Sequence, residues 1–351
     1  MSELKEGLHA ERMEVRSRAP LRLGLAGGGT DLRAYSDKFG GQVVNATIAR
    51  YVNVRISPRN DGKVCFKSHD TKETETFECS KKIEKGKMPL FSASYNRIMD
   101  LSGLDGCPIT IEAVSDSPVG SGLGTSSTLV VTLLSGLAEL VNCPIERYSL
   151  AMMAYEVERE DCEFSGGLQD QFAATFGGFN QLVFQKNRRV SVRPIPIEAK
   201  FRSELESRML LYFTGRSRDS SQIIEDQQKN ISGGGGGALD CLHEIKSEVA
   251  VTKRALMRSD MAGLIESINN GWESKKGTSE SITNNEISQV LESLQGIGID
   301  CAKVSGAGGG GFMFLITPLE LRNRTIETLE EFGGYTGGCR FVTKGVEVWR
   351  Q

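Results

Sequence analysis

The stretch Pro118-Val-Gly-Ser-Gly-Leu-Gly-Thr-Ser-Ser-Thr128 decides how the rest of this 351-residue sequence is interpreted. Its alternating glycines leave backbone N–H groups uncovered, and a broad apolar stripe at helical spacing follows. Uncovered amides at the positive end of a helix dipole form an anion site, to which the hydroxyls add donors or a metal ligand. The stretch therefore predicts a loop that holds nucleotide phosphates. A Gly/Ser-rich turn that only caps a helix is the alternative.

The loop lacks the lysine of the common P-loop. The pattern Gly-x-x-x-x-Gly-Lys-Ser/Thr occurs nowhere in the sequence, so backbone amides and hydroxyls must supply the phosphate contacts. The residues predicted to bind the nucleotide are Pro118, Gly120, Ser121, Gly122, Leu123, Gly124, Thr125, Ser126 and Ser127.

Composition and charge restrict the other partners. Hydrophobic residues make up 39% and charged residues 25% of the chain, enough for a substantial core in one large or two medium domains. A net charge of −3 provides no basic field for nucleic acid or an anionic membrane, so we expect small-molecule partners. No apolar run approaches the roughly 20 residues that cross a bilayer, and the first residues lack the apolar core of a signal peptide. We therefore expect a cytoplasmic protein.

Cysteine and histidine chemistry is not indicated. The eight cysteines are scattered, without a Cys-x-x-Cys pair or a histidine at zinc-finger spacing. The three histidines, His9, His69 and His243, are each isolated from triad or metal partners. The 40 glycines are more informative, because they concentrate in loops that let a backbone approach a ligand closely.

The patterning of the chain predicts an α+β protein. Alternation of β-branched or aromatic residues with polar ones over 14–79 predicts an antiparallel sheet. Five consecutive glycines, Gly233 to Gly237, predict a mobile loop between two helices, either a ligand gate or a plain connection. Further strands are predicted over 109–114, 179–184, 189–195 and 209–213, and helices over 91–101, after Thr128, over about 146–161 and through most of 217–298.

Two more glycine loops flank the first one in the sequence. Leu23-Gly-Leu-Ala-Gly-Gly-Gly-Thr-Asp-Leu32 ends in short polar side chains that suit sugar hydroxyls, although a turn before a helix cap is the alternative. Lys303-Val-Ser-Gly-Ala-Gly-Gly-Gly-Gly311 formally matches a dinucleotide fingerprint. That fingerprint requires a following helix, whereas Phe312-Met-Phe-Leu-Ile316 has strand character. This loop is therefore predicted to be a floor against which a backbone or phosphate packs.

Together, the three loops resemble the motifs of the GHMP kinase family, named for galactokinase, homoserine kinase, mevalonate kinase and phosphomevalonate kinase. Arg18 to Asp31 is similar to motif one, Pro118 to Thr128 to motif two and Lys303 to Gly311 to motif three, in the family's order. The resemblance implies a two-domain α+β fold with the active site between the domains. Residues 1–185 would form a domain like ribosomal protein S5 domain 2, and residues 186–351 a ferredoxin-like domain.

Within the family, the chain resembles the sugar 1-kinase branch that acts on D-glycero-D-manno-heptose 7-phosphate. The resemblance rests on Ala26 to Asp31, Gly166 to Gly178 and Phe213 to Ser221. It implies transfer of the ATP γ-phosphoryl to the C1 hydroxyl, which gives the 1,7-bisphosphate for nucleotide-activated heptose. Galactokinases carry Gly-Glu-His-Thr-Asp where this chain has Gly27-Gly-Gly-Thr-Asp31, which argues against galactose. Another sugar 1-kinase of the fucokinase or galactokinase type, or a non-catalytic ATP and sugar sensor, is the alternative.

The resemblance also implies the catalytic residues. Asp170 in Gly-Leu-Gln-Asp-Gln takes the place of the family's catalytic Asp, and Arg22 that of an Arg in motif one. A guanidinium beside Asp170 would stabilise its carboxylate and offset transition-state charge. Glu158, with Ser126 or Ser127, would hold Mg²⁺. Glu156 and Glu160 in the same acidic run compete for that role.

Substrate contacts are expected at the glycine loops and at cations distant from them. A second phosphate on the sugar needs such cations, and Arg216 and Arg218 are favoured over Arg33, Lys38 and Arg50. Ordinary surface charge is the alternative for all five. We also allow for a homodimer. The substrate-binding residues are predicted to be Gly28, Gly29, Thr30, Asp31, Gly167, Gln169, Arg216, Arg218, Gly308 and Gly309.

Overall fold

The computed structural model describes residues 14–215, 220–232, 236–299 and 301–351. The strands within these ranges are β1 Val15–Ala26, β2 Gly41–Pro58, β3 Lys63–Ser68, β4 Glu73–Glu78, β5 Ile109–Ser115, β6 Phe179–Phe184, β7 Val190–Pro194, β8 Met209–Phe213, β9 Cys301–Val304, β10 Phe312–Ile316, β11 Tyr335–Gly338 and β12 Glu347–Arg350.

The helices in the same ranges are α1 Arg33–Phe39, α2 Pro89–Ser102, α3 Thr125–Leu140, α4 Arg147–Glu156, α5 Gln169–Phe176, α6 Ala199–Arg208, α7 Ser220–Ser232, α8 Gly236–Met257, α9 Met261–Lys276, α10 Asn285–Gly296 and α11 Arg322–Glu330. A π-helical turn, Val157–Asp161, continues α4, and short 3₁₀ turns occupy Glu280–Ile282 and Leu319–Leu321. Among the helices of the described ranges, none combines the length and apolar character that a membrane span requires.

The larger sheet is centred on the long strand β2. Its strand order is β12-β1-β2-β5-β3-β4, with β6 and then β7 added beside the first part of β2. All pairings are antiparallel except that of β3 with β5. The antiparallel sheet predicted over residues 14–79 is therefore confirmed. Helices α2 and α3 cover one face, where Phe66 and Leu133 belong to a buried apolar cluster.

The smaller sheet has the order β11-β8-β10-β9 and is antiparallel throughout. Successive side chains of a strand point to opposite faces, and in β8 both faces are buried. Leu211 packs with Leu23 of β1 in one apolar cluster, whereas Leu210 packs with Val290 of α10 in another. This explains the continuous apolar run of β8, and it joins the smaller sheet to β1 of the larger one through a shared core.

Sheet membership does not follow chain order at the ends of the larger sheet. Strands β7 and β12 come after residue 185, yet β7 pairs with β6 and β12 pairs with β1. The division of the chain at residue 185 therefore stays a prediction, and those two segments are hydrogen-bonded to the N-terminal sheet.

Two local expectations need correction. The predicted pentaglycine loop extends too far, because α8 begins at Gly236; residues 233–235 lie outside the described ranges. Helices α1, α5, α6 and α11 were not predicted. They are short, at 7, 8, 10 and 9 residues, and α6 has only Phe201 and Leu205 as buried residues, so its apolar period is weak.

Candidate active site

A cleft of about 510 Å³ lies where the three glycine loops and the start of α5 meet. The predicted site residues that line it are Arg22, Gly28, Gly29, Asp31, Gly120, Ser121, Gly122, Gly124, Thr125, Ser126, Glu158, Gly167, Gln169 and Asp170. Segments far apart in the chain therefore converge on one concave surface, as a site that binds two substrates requires.

The predicted phosphate loop leads directly into α3. Gly124, the residue that precedes the helix, has a φ of 81°, in the left-handed region that favours glycine, and no side chain caps the first turn. The amides of that turn consequently have no side-chain acceptor at the mouth of the cleft, where they suit an anion. This arrangement fits the phosphates of ATP, with backbone N–H groups and the hydroxyls of Thr125 and Ser126 in reach of the same cavity.

The third loop supports the phosphate loop from behind. A Cβ on Gly311 would lie 2.4 Å from the carbonyl oxygen of Ser121, and one on Gly122 would lie 2.5 Å from that of Ser305. The Phe312 amide also donates to the Ser121 carbonyl at 2.8 Å. The strand–glycine–strand segment is thus a floor against which another backbone packs, as its sequence predicts.

Arg22 and Asp170 form a two-point ion pair inside the cleft. Nε of Arg22 donates to Oδ1 of Asp170 at 2.7 Å and Nη2 donates to Oδ2 at 2.9 Å. The third nitrogen, Nη1, donates to the Gly122 carbonyl at 2.7 Å. A Cβ on Gly124 would lie 3.1 Å from Oδ2 of Asp170, so the carboxylate lies against the start of α3. The arginine therefore fixes the carboxylate beside the phosphate loop.

Glu158 lies fully buried under the first turn of α3. Its Oε1 accepts a hydrogen bond from the Ser126 hydroxyl and its Oε2 one from the Ser127 hydroxyl, both at 2.6 Å. The amide of Gln171 donates to Oε2 at 2.7 Å. One carboxylate with an adjacent hydroxyl is a donor set that Mg²⁺ accepts when nucleotide oxygens and water complete its shell. These residues fit that ion.

The π-helical turn selects Glu158 from the acidic run. Glu156 pairs with Arg97 at 3.4 Å, and Glu160 pairs with Arg33 at 3.4 Å while half exposed. Only Glu158 of these three lines the cleft. One extra residue in a helical turn changes which side chain points inward, and such turns recur at functional sites.

Asp31 is a second carboxylate in the cleft, and it is nearly inaccessible to solvent. It accepts from the Gly29 amide at 3.1 Å and from the Gln169 amide at 3.3 Å. Burial, followed by the nearby charge of Asp170, raises the pKa of Asp31 above its ordinary value. Gly167 makes room for it, because a Cβ there would lie 1.9 Å from Oδ2. Gln169 also lines the cleft, with a buried Oε1 that has no hydrogen-bond partner.

Thr30, predicted to bind substrate with Asp31, is instead held by the protein backbone. Its hydroxyl makes hydrogen bonds to the carbonyls of Gly27 and Gln42 and accepts from the Gln42 amide at 3.0 Å. The residue is fully buried and does not line the cleft. Its polar side chain fastens the loop to β2, which corrects the prediction.

Five other positions also differ from the predicted lining. Gly308 and Gly309 pack on the 3₁₀ turn, where the Gly309 amide donates to the Ile282 carbonyl at 2.8 Å, and Gly306 and Ala307 line the cleft in their place. Leu123 is buried in the apolar core, and Pro118 is exposed outside the lining. Ser127 reaches the site only through Glu158.

None of the five cations predicted to bind the distal phosphate is among the described residues that line the cleft. Arg216 and Arg218 lie outside the described residues. Arg33 stacks over Tyr155, and Arg50 stacks over Phe312 and Tyr335; neither they nor Lys38 line the cleft. Among the described residues, the cations that line it are Arg22, Arg159 and Lys275.

Sequence reasoning missed Arg159, Gln171 and Lys275. Gln171 and Arg159 are adjacent to predicted residues, and Arg159 lies 3.3 Å from Oε1 of Glu158. Proximity in sequence to Glu158 and Asp170 was the available signal for both. Lys275 carries no such signal, because it is in the last turn of a helix about 100 residues after Asp170 and precedes another lysine.

Two family models match the chain. The model of the GHMP kinases N terminal domain matches residues 90–178, and that of the GHMP kinases C terminal domain matches residues 252–334. With the relative described next, these matches show that the chain belongs to the GHMP kinase family. It is a sugar kinase of that family, a phosphotransferase for which ATP is the donor.

Individual relatives agree over nearly the whole chain. It is 41% identical over 337 residues to the D-glycero-alpha-D-manno-heptose 7-phosphate kinase of Campylobacter jejuni, covering 96% of this chain and 99% of that protein. The crystal structure of a D-glycero-D-manno-heptose 1-phosphate kinase from Bacteroides thetaiotaomicron has a TM-score of 0.82 at 34% identity, covering 95% of this chain and 98% of that one. Lactococcus lactis galactokinase complexed with galactose, at 16% identity and a TM-score of 0.73, covers 99% of both chains and shows the same fold. The two-domain GHMP kinase fold expected from the sequence is confirmed.

Proposed function

We propose that this protein is a heptose phosphate kinase that transfers the γ-phosphoryl of ATP to the C1 hydroxyl of D-glycero-D-manno-heptose 7-phosphate. The product would be the 1,7-bisphosphate, an intermediate toward nucleotide-activated heptose. The observation that carries the proposal is the Arg22–Asp170 pair, whose carboxylate lies against the uncapped start of α3. The similarity to the Campylobacter jejuni kinase supports the sugar.

The names of the two heptose kinases differ in the position of the phosphate, and the C1 acceptor is proposed from the resemblance to the sugar 1-kinase branch. Phosphoryl transfer requires an acceptor oxygen held in line, a group that takes its proton and charge that stabilises the moving phosphoryl. Asp170 takes the proton of the C1 hydroxyl, the oxygen then forms a bond to the γ-phosphorus, and the bond from that phosphorus to the ADP oxygen breaks. Arg22 holds the carboxylate in position and balances its charge.

Ser126 and Glu158 would hold Mg²⁺, which supplies positive charge to the phosphate oxygens when it is bound. The Ser126 hydroxyl donates to Oε1 of Glu158 at 2.6 Å, so a hydroxyl and a carboxylate lie side by side in the cleft. Magnesium is therefore proposed from the donor set of this chain.

The sugar end of the site rests on Asp31 and Gln169. Asp31 is a hydrogen-bonding group for hydroxyls, and the unpartnered Oε1 of Gln169 is an acceptor for one. Gly28 and Gly29 line the cleft where galactokinases carry Glu and His, which favours a bulkier sugar over galactose. Arg216 and Arg218 stay our proposal for the distal phosphate. The homodimer and the cytoplasmic location likewise stay predictions.

A coupled assay of ADP release over a panel of sugars tests the proposal. We expect turnover with D-glycero-D-manno-heptose 7-phosphate and at least about tenfold lower kcat/KM with unphosphorylated heptose, because a charge-assisted hydrogen bond to the distal phosphate is lost. Turnover of fucose or galactose without turnover of the heptose phosphate would contradict the substrate assignment. ATP binding without turnover of any sugar would favour a sensor.

A further inference from the structure

Lys275 places an amino group in the cleft, and no carboxylate of the described residues forms an ion pair with it. It is in the last turn of α9, its side chain is 5% exposed, and its Nζ donates to the carbonyl of Gly306. Gly306 in turn packs on the phosphate loop, since a Cβ on it would lie 2.7 Å from the Cα of Gly122. The amino group therefore lies next to the loop that is proposed to hold the ATP phosphates, and it lines the same cavity.

The charges that face Lys275 come from three other segments. Lys303 of β9 and Arg22 of β1 are positive, and Asp31 of the first glycine loop is negative. Arg22 is already paired with Asp170, and Asp31 accepts hydrogen bonds from the amides of Gly29 and Gln169. Within the described residues, no carboxylate forms an ion pair with Lys275. A buried lysine is normally paired with an acidic side chain, and none of the described residues supplies one here.

We propose that Nζ of Lys275 binds the phosphoryl group that moves from ATP to the sugar. The inference rests on the proposed function, and it adds a catalytic residue from the C-terminal half of the chain to a site built mainly from the N-terminal half. The γ-phosphoryl of ATP would supply the negative charge that no described carboxylate supplies to this amino group. Contact with it would offset the negative charge that develops on its oxygens during transfer.

The protonation of Lys275 would then change when nucleotide binds. Burial, followed by the charges of Lys303 and Arg22, lowers the pKa of Lys275 to about 7. At pH 8 most molecules would carry a neutral amine. A polyanion in contact with Nζ raises that pKa again, so binding of MgATP takes up a proton from solvent. A lysine that only holds the third loop through Gly306 would show no dependence on the γ-phosphoryl.

The test compares MgATP and MgADP binding without sugar, in the wild type, K275M and K276M. Lys276 is the matched control, because it is the next residue in the same helix, is partly exposed and pairs with Glu273. We expect K275M to weaken MgATP binding about tenfold to a hundredfold, as loss of a charge-assisted hydrogen bond does, and to leave MgADP binding within about twofold. K276M should bind both nucleotides as the wild type does.

Retained MgADP affinity shows that the K275M cleft is folded, so the ratio of the two affinities carries the result. Calorimetry at pH 8 in buffers of different ionisation enthalpy adds an independent measurement. Wild type should take up close to one more proton per MgATP bound than K275M does. The role of Lys275 would be overturned if K275M lost the same affinity for MgATP as for MgADP. It would also be overturned if the ratio of the two affinities and the proton uptake both equalled those of wild type. Either result would leave the proposed function intact. Failure of the wild type to bind either nucleotide would overturn both.

Discussion

Arg22 and Asp170 are 148 residues apart in sequence, yet their side chains are joined by two hydrogen bonds, at 2.7 and 2.9 Å. Arg22 is on the first strand of the larger sheet and Asp170 in the first turn of α5. The same guanidinium also binds the carbonyl of Gly122 in the phosphate loop. One side chain thus connects the proposed base to the proposed nucleotide site.

Replacing the proposed base should stop chemistry and spare nucleotide binding. D170N keeps the shape of the side chain but cannot accept the proton of the sugar hydroxyl, so kcat should fall by about a hundredfold to ten-thousandfold. The affinity for MgATP, measured by calorimetry, should stay within a few-fold of wild type. A kcat equal to that of wild type would remove Asp170 from the role of base.

Replacing Arg22 with lysine should show that its two-point contact with Asp170 contributes to activity in addition to its charge. R22K retains a positive charge but loses the two-point contact, and we expect kcat to fall about tenfold or more, since planar two-point pairing is specific to arginine. R18M is the matched control. Arg18 is on the same strand, does not line the cleft, and forms an ion pair with Glu347 at 2.9 Å. Steady-state kinetics of both variants provide the comparison. Equal activity in R22K and wild type would leave charge alone as the contribution.

Replacing Glu158 should change the response to magnesium. E158Q removes the carboxylate that Ser126 and Ser127 contact, and the Mg²⁺ concentration for half-maximal activity should rise about tenfold or more. E156Q, whose carboxylate pairs with Arg97 outside the cleft, should titrate as wild type. Thermal unfolding of both variants without metal checks that the fold is kept. Identical magnesium curves for E158Q and wild type would count against the assignment.

Neighbouring residues of the first glycine loop should have different effects. T30V removes hydroxyl contacts to the backbone at Gly27 and Gln42, and should lower the free energy of unfolding by about 1–3 kcal/mol. D31N should instead raise KM for the sugar about tenfold, because a carboxylate that accepts from hydroxyls is lost. Denaturant unfolding and steady-state kinetics separate the two effects. A T30V variant of wild-type stability but raised KM would restore Thr30 to the substrate site.

The pH dependence of stability should report the buried Lys275. Its folded pKa of about 7 is below its value in the unfolded chain, so between about pH 7 and pH 10 the unfolded state binds the proton and the folded state does not. Stability contributed by this group therefore rises with pH, at most by about 1.4 kcal/mol per pH unit. K275M should show a shallower increase from pH 7 to pH 9 in denaturant unfolding without nucleotide. Parallel curves would contradict the lowered pKa.

The loops, helices and strands that could be predicted from the sequence are those that neighbouring residues in the chain determine. Positive-φ glycines before an apolar helical stripe specify the phosphate loop and α3, and strand periodicity specifies β6 and β8 at the observed bounds. The pairing of Arg22 with Asp170 followed from the family resemblance, because no spacing rule joins positions 148 residues apart.

The parts that sequence could not predict depend on tertiary packing. Thr30 and Asp31 are adjacent short polar residues, and the hydrogen bonds of Thr30 to Gly27 and Gln42 hold it away from the cleft that Asp31 lines. Lys275 is one of two consecutive lysines, a pattern that predicts no site. It reaches the cleft because α9 packs on the smaller sheet and its last turn lies beside Gly306. β12 belongs to the larger sheet because β1 offers it an edge.

The position and identity of the transferred phosphoryl are tested most directly by ³¹P NMR of the product formed from ATP, Mg²⁺ and D-glycero-D-manno-heptose 7-phosphate. The account predicts a sugar with two phosphate monoester signals, the new one coupled to the anomeric proton, together with loss of the ATP γ signal. An ATP γ signal that persists with active, folded protein, or a new phosphate coupled to any other sugar proton, would contradict it.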